Sequence, residues 1–424
     1  MARLEQRQRL APIAATRVVI DVRPLQEPER APLTADYLGQ LLSAFASAPL
    51  AGESFVVLTR ALRTDPTLEL ERAGLAVAGR RVLPPTSRVF RSAGLTLDSF
   101  LLRAAELGAA APLEGSAGPV GSVFHTAGGA VPLASGLPVV ATLLDVAPWE
   151  LPDAYLASPA ARFGHRLRRR VLRDAARVIV CSAAIAALAS RRLRLPTERI
   201  ATVPLAVDDD FRNAGRDRAA QAEIRARLGL PGRYFAFAGR YDARKDMTTL
   251  FGALRALAER SGSRENAPRL VFAGPFDSPA ERTTLLSAVL RSGAAGQIDV
   301  APQLNEAERA AVVGGALGFV YPALSEAAGA NVLEALSLGV PVIAARIGAL
   351  PEQVGSAGII VEPRDAGRLA AALSALWDGT PVAGQLTRAA QARANSWSRS
   401  WLDVALETRA VYAAAVEARI DRRR

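Results

Sequence analysis

Cysteine is nearly absent. Cys181 is the only one in 424 residues, so no internal disulfide forms, and no Cys/His cluster offers a structural zinc site. Lysine is as scarce: of 52 basic residues, 51 are arginine and Lys245 stands alone. The longest charge-free apolar run, about 310–324, is too short to cross a bilayer and contains Gly314, Gly315 and Pro322. The first ten residues are charged and lack the apolar centre of a signal peptide. These absences set the expectation of a cytoplasmic protein with no membrane span. Glycine and proline, at 33 and 27 residues, fall far short of a low-complexity or collagen-like chain. With half its residues hydrophobic, the chain is long enough for two or three domains, each with its own core.

The net charge of +11 is unevenly placed. Between Arg162 and Arg199 there are 11 arginines against Asp174 and Glu198, and the rest of the chain is close to balanced. A concentrated patch differs from a generally basic, nucleic-acid-binding composition. Where arginine is the default, a lone lysine falls under suspicion of being chemically required, because a compact ammonium does what a planar guanidinium fork cannot.

Short β-branched or aromatic runs alternate with Ala/Leu-rich helical stretches. In the first half the runs are 17–21, 54–58, 122–124, 139–142, 178–180 and 200–203. In the second they are 234–238, 270–273, 297–300, 317–321, 340–344 and 358–361, with helices from about 246 and near 279–291, 305–314, 330–338 and 365–377. Continuous apolar strands between helices predict parallel sheets covered on both faces. A polar stretch at 208–218 breaks the pattern. The expected architecture is two doubly wound, Rossmann-like α/β domains facing across a cleft, with the Ala/Gly-rich run 108–121 as a loop.

In such sheets ligands bind beyond the carboxyl ends of strands, where helix N-termini point. After the run 234–238 come Gly239, Arg240 and Lys245, with Asp246 a candidate helix cap. After 317–321 come Glu326, the small-residue turn Ala327-Ala-Gly-Ala330, and a helix carrying Glu334. The two cations can neutralise a diphosphate while the turn's backbone N–H groups bind it at the helix N-terminus. Two carboxylates eight residues apart can grip hydroxyl-rich groups at either end of it. The ligand this predicts is a nucleotide sugar.

Glu326 and Glu334 form Glu-x7-Glu within Ser325-Glu-Ala-Ala-Gly-Ala-Asn-Val-Leu-Glu-Ala-Leu-Ser-Leu-Gly-Val-Pro-Val342. This resembles the signature of the family 4 (group 1) retaining glycosyltransferases of GT-B fold. Gly239-Arg-Tyr-Asp-Ala-Arg-Lys245 is similar to that family's Gly-Arg…Lys element, and Leu350-Pro-Glu-Gln-Val354 to its Leu-Pro-Glu turn. Val203-Pro-Leu-Ala-Val-Asp208 with Phe211, and Asn395-Ser-Trp-Ser398 with Tyr412, are weaker echoes. Val18-Val-Ile-Asp-Val-Arg-Pro24 and Val139-Val-Ala-Thr-Leu-Leu-Asp145 resemble the family's polysaccharide and O-antigen mannosyltransferases. The resemblance implies a hexosyltransferase with retention, using a nucleotide sugar (first guess GDP-mannose), a saccharide or lipid-linked saccharide acceptor, and no metal or other cofactor. It implies Arg240 and Lys245 on the diphosphate, Glu334 on the ribose and Glu326 as the catalytic residue at the donor sugar. Backbone groups around Gly239, Gly329, Ala330, Asn331 and Val332 would complete the donor site. It also implies an N-terminal acceptor-side domain, 1–215, completed by a C-terminal helix 398–424 that crosses back, and a nucleotide-sugar domain, 216–397.

Two departures keep a second reading open, a nucleotide-sugar-binding partner or regulator without transfer. Pro32 stands where the family's glycine-rich loop is expected, and Leu144 where many members have histidine. An epimerase of the same shape would need acid/base residues that are not evident. His125, closing an apolar strand, reads as a structural histidine or an acceptor-side residue, and Asp145 is a second acceptor-side candidate. His165 is expected to face solvent. Asp208-Asp-Asp210 is better explained as a hinge element than as a metal site. On a helical wheel Arg162, Arg166, Arg169, Arg170, Arg173 and Arg177 fall within roughly 100°, with Phe163, Leu167, Val171 and Val178 as the docking flank. Such a stripe suits an anionic membrane surface at the inner face of the membrane, or is a solvated face. No nucleic-acid motif accompanies it.

Overall fold

The computed structural model describes residues 16–84, 94–109, 121–262, 266–276 and 278–421. The chain divides into two compact units. One runs to Leu205 and takes in the chain from Trp401, and the other is Ala206–Ser400.

The first unit holds seven strands: β1 (Thr16–Asp21), β2 (Ser54–Arg60), β3 (Val77–Leu83), β4 (Gly121–Ala127), β5 (Val139–Leu143), β6 (Arg177–Val180) and β7 (Ile200–Thr202). They form one parallel sheet in the order β3-β2-β1-β4-β5-β6-β7, with Val18 opposite Phe55 and Val123. Every residue of β5 is buried, as a strand covered on both faces requires. β3 was not expected. It is an edge strand with Arg81 and Val82 turned to solvent, so it has no continuous apolar run to announce it. Pro32 begins the helix Pro32–Ser47, where a fixed φ and a missing N–H cost nothing. Of the run expected as a loop at 108–121, residues 108 and 109 close the helix Gly94–Ala109 and 121 opens β4, while 110–120 lie outside the described residues.

The terminal helix Trp401–Asp421 packs on the first unit. Its Arg409, 1% exposed, pairs with Glu53 at 2.6 and 2.9 Å and lies over the Phe45 ring. Tyr412 of the same helix donates to or accepts from His125 Nδ1 at 2.7 Å.

The second unit has six strands: β8 (Phe235–Phe237), β9 (Leu270–Phe272), β10 (Ile298–Val300), β11 (Gly318–Tyr321), β12 (Val342–Ala345) and β13 (Gly358–Val361). They form a parallel sheet ordered β10-β9-β8-β11-β12-β13. The boundary expected at 215 lies instead at 205. The helix Asp209–Arg216 belongs to the second unit because it is packed backbone to backbone on the helix Glu306–Gly314. A Cβ on Gly314 would fall 1.9 Å from the Gly215 carbonyl oxygen. Among the described residues no helix is long and apolar enough to cross a membrane.

Candidate active site

The order of the second sheet reverses between β8 and β11, and the loops beyond their carboxyl ends therefore flank a crevice. Phe319 and Tyr321, two apart on β11, share a face of the sheet. The Tyr321 ring stacks on Phe319 and on Phe237 of β8, each at 5.8 Å, and Phe237 packs on Phe272 at 4.5 Å. This aromatic row fixes Tyr321 at the strand end. The segment after β8 then crosses to the segment after β11. Lys245 and Ala323 form an isolated antiparallel bridge, Leu324 N–H donates to the Arg244 carbonyl at 2.7 Å, and Asp246 N–H donates to the Pro322 carbonyl at 3.0 Å.

That crossing buries Lys245. Its Nζ donates to the Tyr321 hydroxyl at 2.5 Å and to Glu326 Oε2 at 2.9 Å, and sits 4.1 Å from the centroid of the Tyr321 ring. Tyr321 donates to the same Glu326 oxygen at 2.8 Å, and Gly329 N–H donates to the other at 3.0 Å. Burial alone would push the Glu326 carboxyl up, but the Lys245 ammonium, the Gly329 amide and the Tyr321 hydroxyl outweigh it and hold the group down at about 2. Burial likewise opposes the charge on Lys245, yet Glu326 raises it above the usual lysine range. The Tyr321 hydroxyl is pushed up to about 12, by burial first and then by Glu326.

Gly329 precedes the helix Ala330–Ser337 in a left-handed conformation, φ 64°. A Cβ there would lie 1.8 Å from Gln353 Oε1, whose amide nitrogen donates to the Ala328 carbonyl at 2.7 Å. Only glycine fits. Asn331 reaches back to the Tyr321 hydroxyl at 3.4 Å, and a Cβ on Gly239 would lie 3.5 Å from the Asn331 amide nitrogen. Gly239, Lys245, Tyr321, Glu326, Gly329 and Asn331 thus form one cluster, with Ala330 opening the helix beside it. Arg240 is half-buried in the turn after β8. Val332 differs from expectation: its N–H is bonded to the Gly329 carbonyl at 3.0 Å and its side chain lies in the core. Asp246 precedes its helix but does not cap it, because its carboxylate accepts the Arg364 N–H at 2.7 Å.

Glu334 lies one turn into the helix and has a different partner. Arg309, from the helix Glu306–Gly314, grips it with two nitrogens at 2.5 and 3.0 Å and also holds Glu306 at 2.5 Å. The buried guanidinium lies 4.6 Å over the Phe211 ring. Asp208 caps the helix Asp209–Arg216 through Asp210 N–H at 2.7 Å, and Asp209 pairs with Arg212.

In the first unit, His125 is fully buried in β4. Its Nε2 lies 2.9 Å from the Thr142 hydroxyl and its Nδ1 2.7 Å from Tyr412, and burial pushes it down to about 3. Both ring nitrogens thus have partners within the first unit. Asp145 follows β5 and accepts the Ala147 N–H at 2.8 Å, and Leu144 is buried. The basic helix is Pro159–Asp174. Arg162, Arg166, Arg169, Arg170 and Arg173 are exposed along it, but Arg177 is not on it, because the helix stops at Asp174 and Arg177 opens β6. The docking face also differs. Of the expected flank Val171 is buried, but Phe163 is 58% exposed and Val178 lies in β6, and Gly164, Arg168 and Leu172 are buried with Val171. His165 is half-buried against Trp149 rather than free in solvent.

The profile of the family "Glycosyl transferases group 1" matches residues 220–393, and that of "Glycosyltransferase Family 4" matches 119–211. Together they take in well over half of the chain. The chain belongs to the group 1, family 4 glycosyltransferases. This family member is 32% identical over 293 residues to the D-inositol 3-phosphate glycosyltransferase of Streptomyces scabiei, a match covering 68% of this chain and 63% of that protein. It is 28% identical over 181 residues to the O-antigen chain mannosyltransferase B of Escherichia coli, covering 43% and 46%. The matches therefore span about half to under two thirds of these relatives' lengths. Its fold is that of sucrose-phosphate synthase from Thermosynechococcus elongatus, with a TM-score of 0.68 at 20% identity, covering 94% of this chain and 98% of the other.

Two residues that hold Glu326 and Glu334 were not singled out from the sequence, Tyr321 and Arg309. Tyr321 ends a predicted strand, which is a signal that could have found it. Arg309 carries none, since it sits in a helix of ordinary composition 25 residues before its partner.

Proposed function

We propose that this protein is a retaining, metal-independent hexosyltransferase that takes its donor as a nucleoside-diphosphate sugar and a saccharide or lipid-linked saccharide as acceptor. The observation that carries this reading is the burial of the only lysine beyond β8 and β11, against Glu326 and the Gly329 turn. Two of its three N–H groups are engaged by Tyr321 and Glu326, and the third serves the donor diphosphate, with Arg240 and the amides of Ala330 and Asn331 at the helix N-terminus. Neutralising charge on the departing diphosphate is the main service such a site offers the transition state. Glu326, held ionised in a water-poor site, faces the donor sugar, and Glu334 takes the ribose hydroxyls. Mannose is the sugar we put first, supported by the likeness to an O-antigen mannosyltransferase.

A second reading, donor binding without transfer, is favoured by the buried Leu144 at the end of β5, where it offers no polar atom. Calorimetry against GDP, UDP, ADP and dTDP, followed by their hexose conjugates with product analysis, separates the two. Binding with slow conjugate hydrolysis or transfer supports the enzyme. Tight binding without turnover across acceptors supports the partner. Binding of no nucleotide defeats both.

The exposed arginines 162, 166, 169, 170 and 173, flanked by exposed Phe163, support docking on an anionic membrane at the cytoplasmic face. Changing Arg166, Arg169 and Arg173 to Glu is expected to release the protein from phosphatidylglycerol-containing vesicles in a flotation assay, with nucleotide affinity unchanged. A wild-type protein that stays off such vesicles would defeat this part of the proposal.

A further inference from the structure

Elsewhere in the chain, buried cations meet carboxylates as guanidinium forks. Arg23 on Asp21, Arg309 on Glu334 and Arg409 on Glu53 each offer two nitrogens to one carboxylate. The pair beyond β8 and β11 is built differently. Lys245 and Glu326, with side chains 4% and 11% exposed, are joined by a third group, the Tyr321 hydroxyl. The three polar atoms close a triangle. Nζ lies 2.5 Å from the hydroxyl, the hydroxyl 2.8 Å from Glu326 Oε2, and Nζ 2.9 Å from that same oxygen.

A hydroxyl has one O–H to donate and two lone pairs that accept. Here Glu326 takes the proton, Lys245 fills one lone pair, and the Asn331 amide reaches toward the other at 3.4 Å. The hydroxyl is pushed up to about 12, so it keeps its proton at neutral pH. The ring is held separately, by stacking on Phe319 and Phe237, and the ammonium lies 4.1 Å from its centroid. Removing the oxygen alone therefore leaves the ring and its cation–π contact in place. An ammonium bonded only to a carboxylate still turns about its Cε–Nζ bond. Two fixed acceptors stop that rotation, and tetrahedral geometry then sets the direction of the third N–H. A planar guanidinium cannot do this, which gives a physical reason for one lysine beside 51 arginines.

We propose that Tyr321 is a positioning residue, whose hydroxyl aims the third N–H of Lys245 at the donor diphosphate. The inference rests on the proposed transferase function for the diphosphate, and on the Lys245–Tyr321–Glu326 triangle for the aiming. Tyr321 acts through Lys245 and needs no contact of its own with the donor. A donor group already aimed loses less freedom when the ligand arrives, and so binds more tightly than a mobile one. The gain falls on the charge-assisted bond to phosphate oxygen rather than on the fold.

Tyr321→Phe keeps the ring and removes the oxygen. It is expected to raise the Kd of the tightest binder among GDP, UDP, ADP and dTDP about tenfold, the size of one hydrogen bond to a charged group. Urea unfolding checks the fold, since a merely structural hydroxyl lowers the urea midpoint and leaves the Kd of the folded protein alone. Because the chain has one lysine, the full chain labelled with 15N-lysine gives a single Nζ signal that reports the ammonium directly. In the wild type its protons should exchange slowly with water, and its frequency should shift when nucleotide is added. In Tyr321→Phe the exchange should quicken at the same pH and temperature. Weaker binding together with faster exchange supports the inference. Weaker binding with an unchanged Nζ signal means that the hydroxyl touches the nucleotide itself, and overturns it. Should the variant fail to fold, Lys245→Arg decides. Wild-type affinity with the charge so retained overturns the aiming role, and a loss as large as that of Lys245→Ala supports it. A wild-type protein that binds no nucleotide sinks the proposed function and this inference with it. Wild-type binding with an indifferent Tyr321→Phe sinks this inference alone.

Discussion

Replacing Lys245 with alanine is expected to weaken nucleoside-diphosphate binding by roughly 2–3 kcal/mol, about a hundredfold in Kd, because the lost contacts are charge-assisted and shielded from water. The same change strands Glu326. In the wild type the folded-state carboxyl titrates near 2 against an ordinary 4.5, so the folded protein binds this proton less readily than the unfolded chain does. The resulting stabilisation is complete above about pH 4.5 and is lost as pH falls toward 2. Without the ammonium, burial is the dominant influence and the carboxyl rises, so the variant should be less stable at neutral pH and show a flatter acid limb. Urea unfolding at a series of pH values, beside nucleotide calorimetry, checks both effects. Wild-type affinity in the variant would remove Lys245 from the diphosphate site.

The second large effect is expected from Arg309→Met. Glu306 is mostly in solvent and loses little, but the Glu334 side chain is only 18% exposed and has Arg309 as its ion-pair partner. Breaking this pair should cost about 3 kcal/mol, the lower end for a buried ion pair because Glu334 retains some contact with water. The double change Arg309→Met with Glu334→Gln should recover much of that loss, since no buried charge is then left unpaired. Arg309 also fixes where the carboxylate points. Wild type should therefore prefer a ribonucleoside diphosphate over its 2′,3′-dideoxy analogue, and Arg309→Met should lose that preference while binding the dideoxy compound as before. An unchanged preference would mean that Glu334 either needs no orienting or does not read the ribose.

The strand–helix alternation was legible because the information is local. β-branched runs of four or five residues, bounded by glycine and proline, place most strands within a residue or two of where they lie. The helix Pro279–Arg291 has the expected bounds. β3 escaped because an edge strand half in solvent does not need an apolar run. The turn after β11 was legible for the same local reason. Strand, Glu326, small residues, Gly329 and helix follow one another within twenty residues, and the geometry of a strand-to-helix turn does the rest. Composition and its place after the run 234–238 both marked Lys245.

The partners of these side chains were decided by tertiary structure. Lys245 is buried because its segment bridges to Ala323, and its charge is balanced by a carboxylate 81 residues away. Glu334 is held by an arginine on another helix, and His125 is closed off by a tyrosine 287 residues further along. The basic helix shows the limit most plainly. Its periodicity separates one face from another, but it put Phe163 beside Val171 on the inward side, whereas Gly164 and Arg168 are buried with Val171 and Phe163 is exposed. A helical wheel gives the angles between residues and contains no information on which angle meets the core. The sequence therefore determined the elements, the order of the motifs and the residue types available for chemistry. Which charges are paired depends on segments far apart in the chain being brought together, and only the folded chain does that.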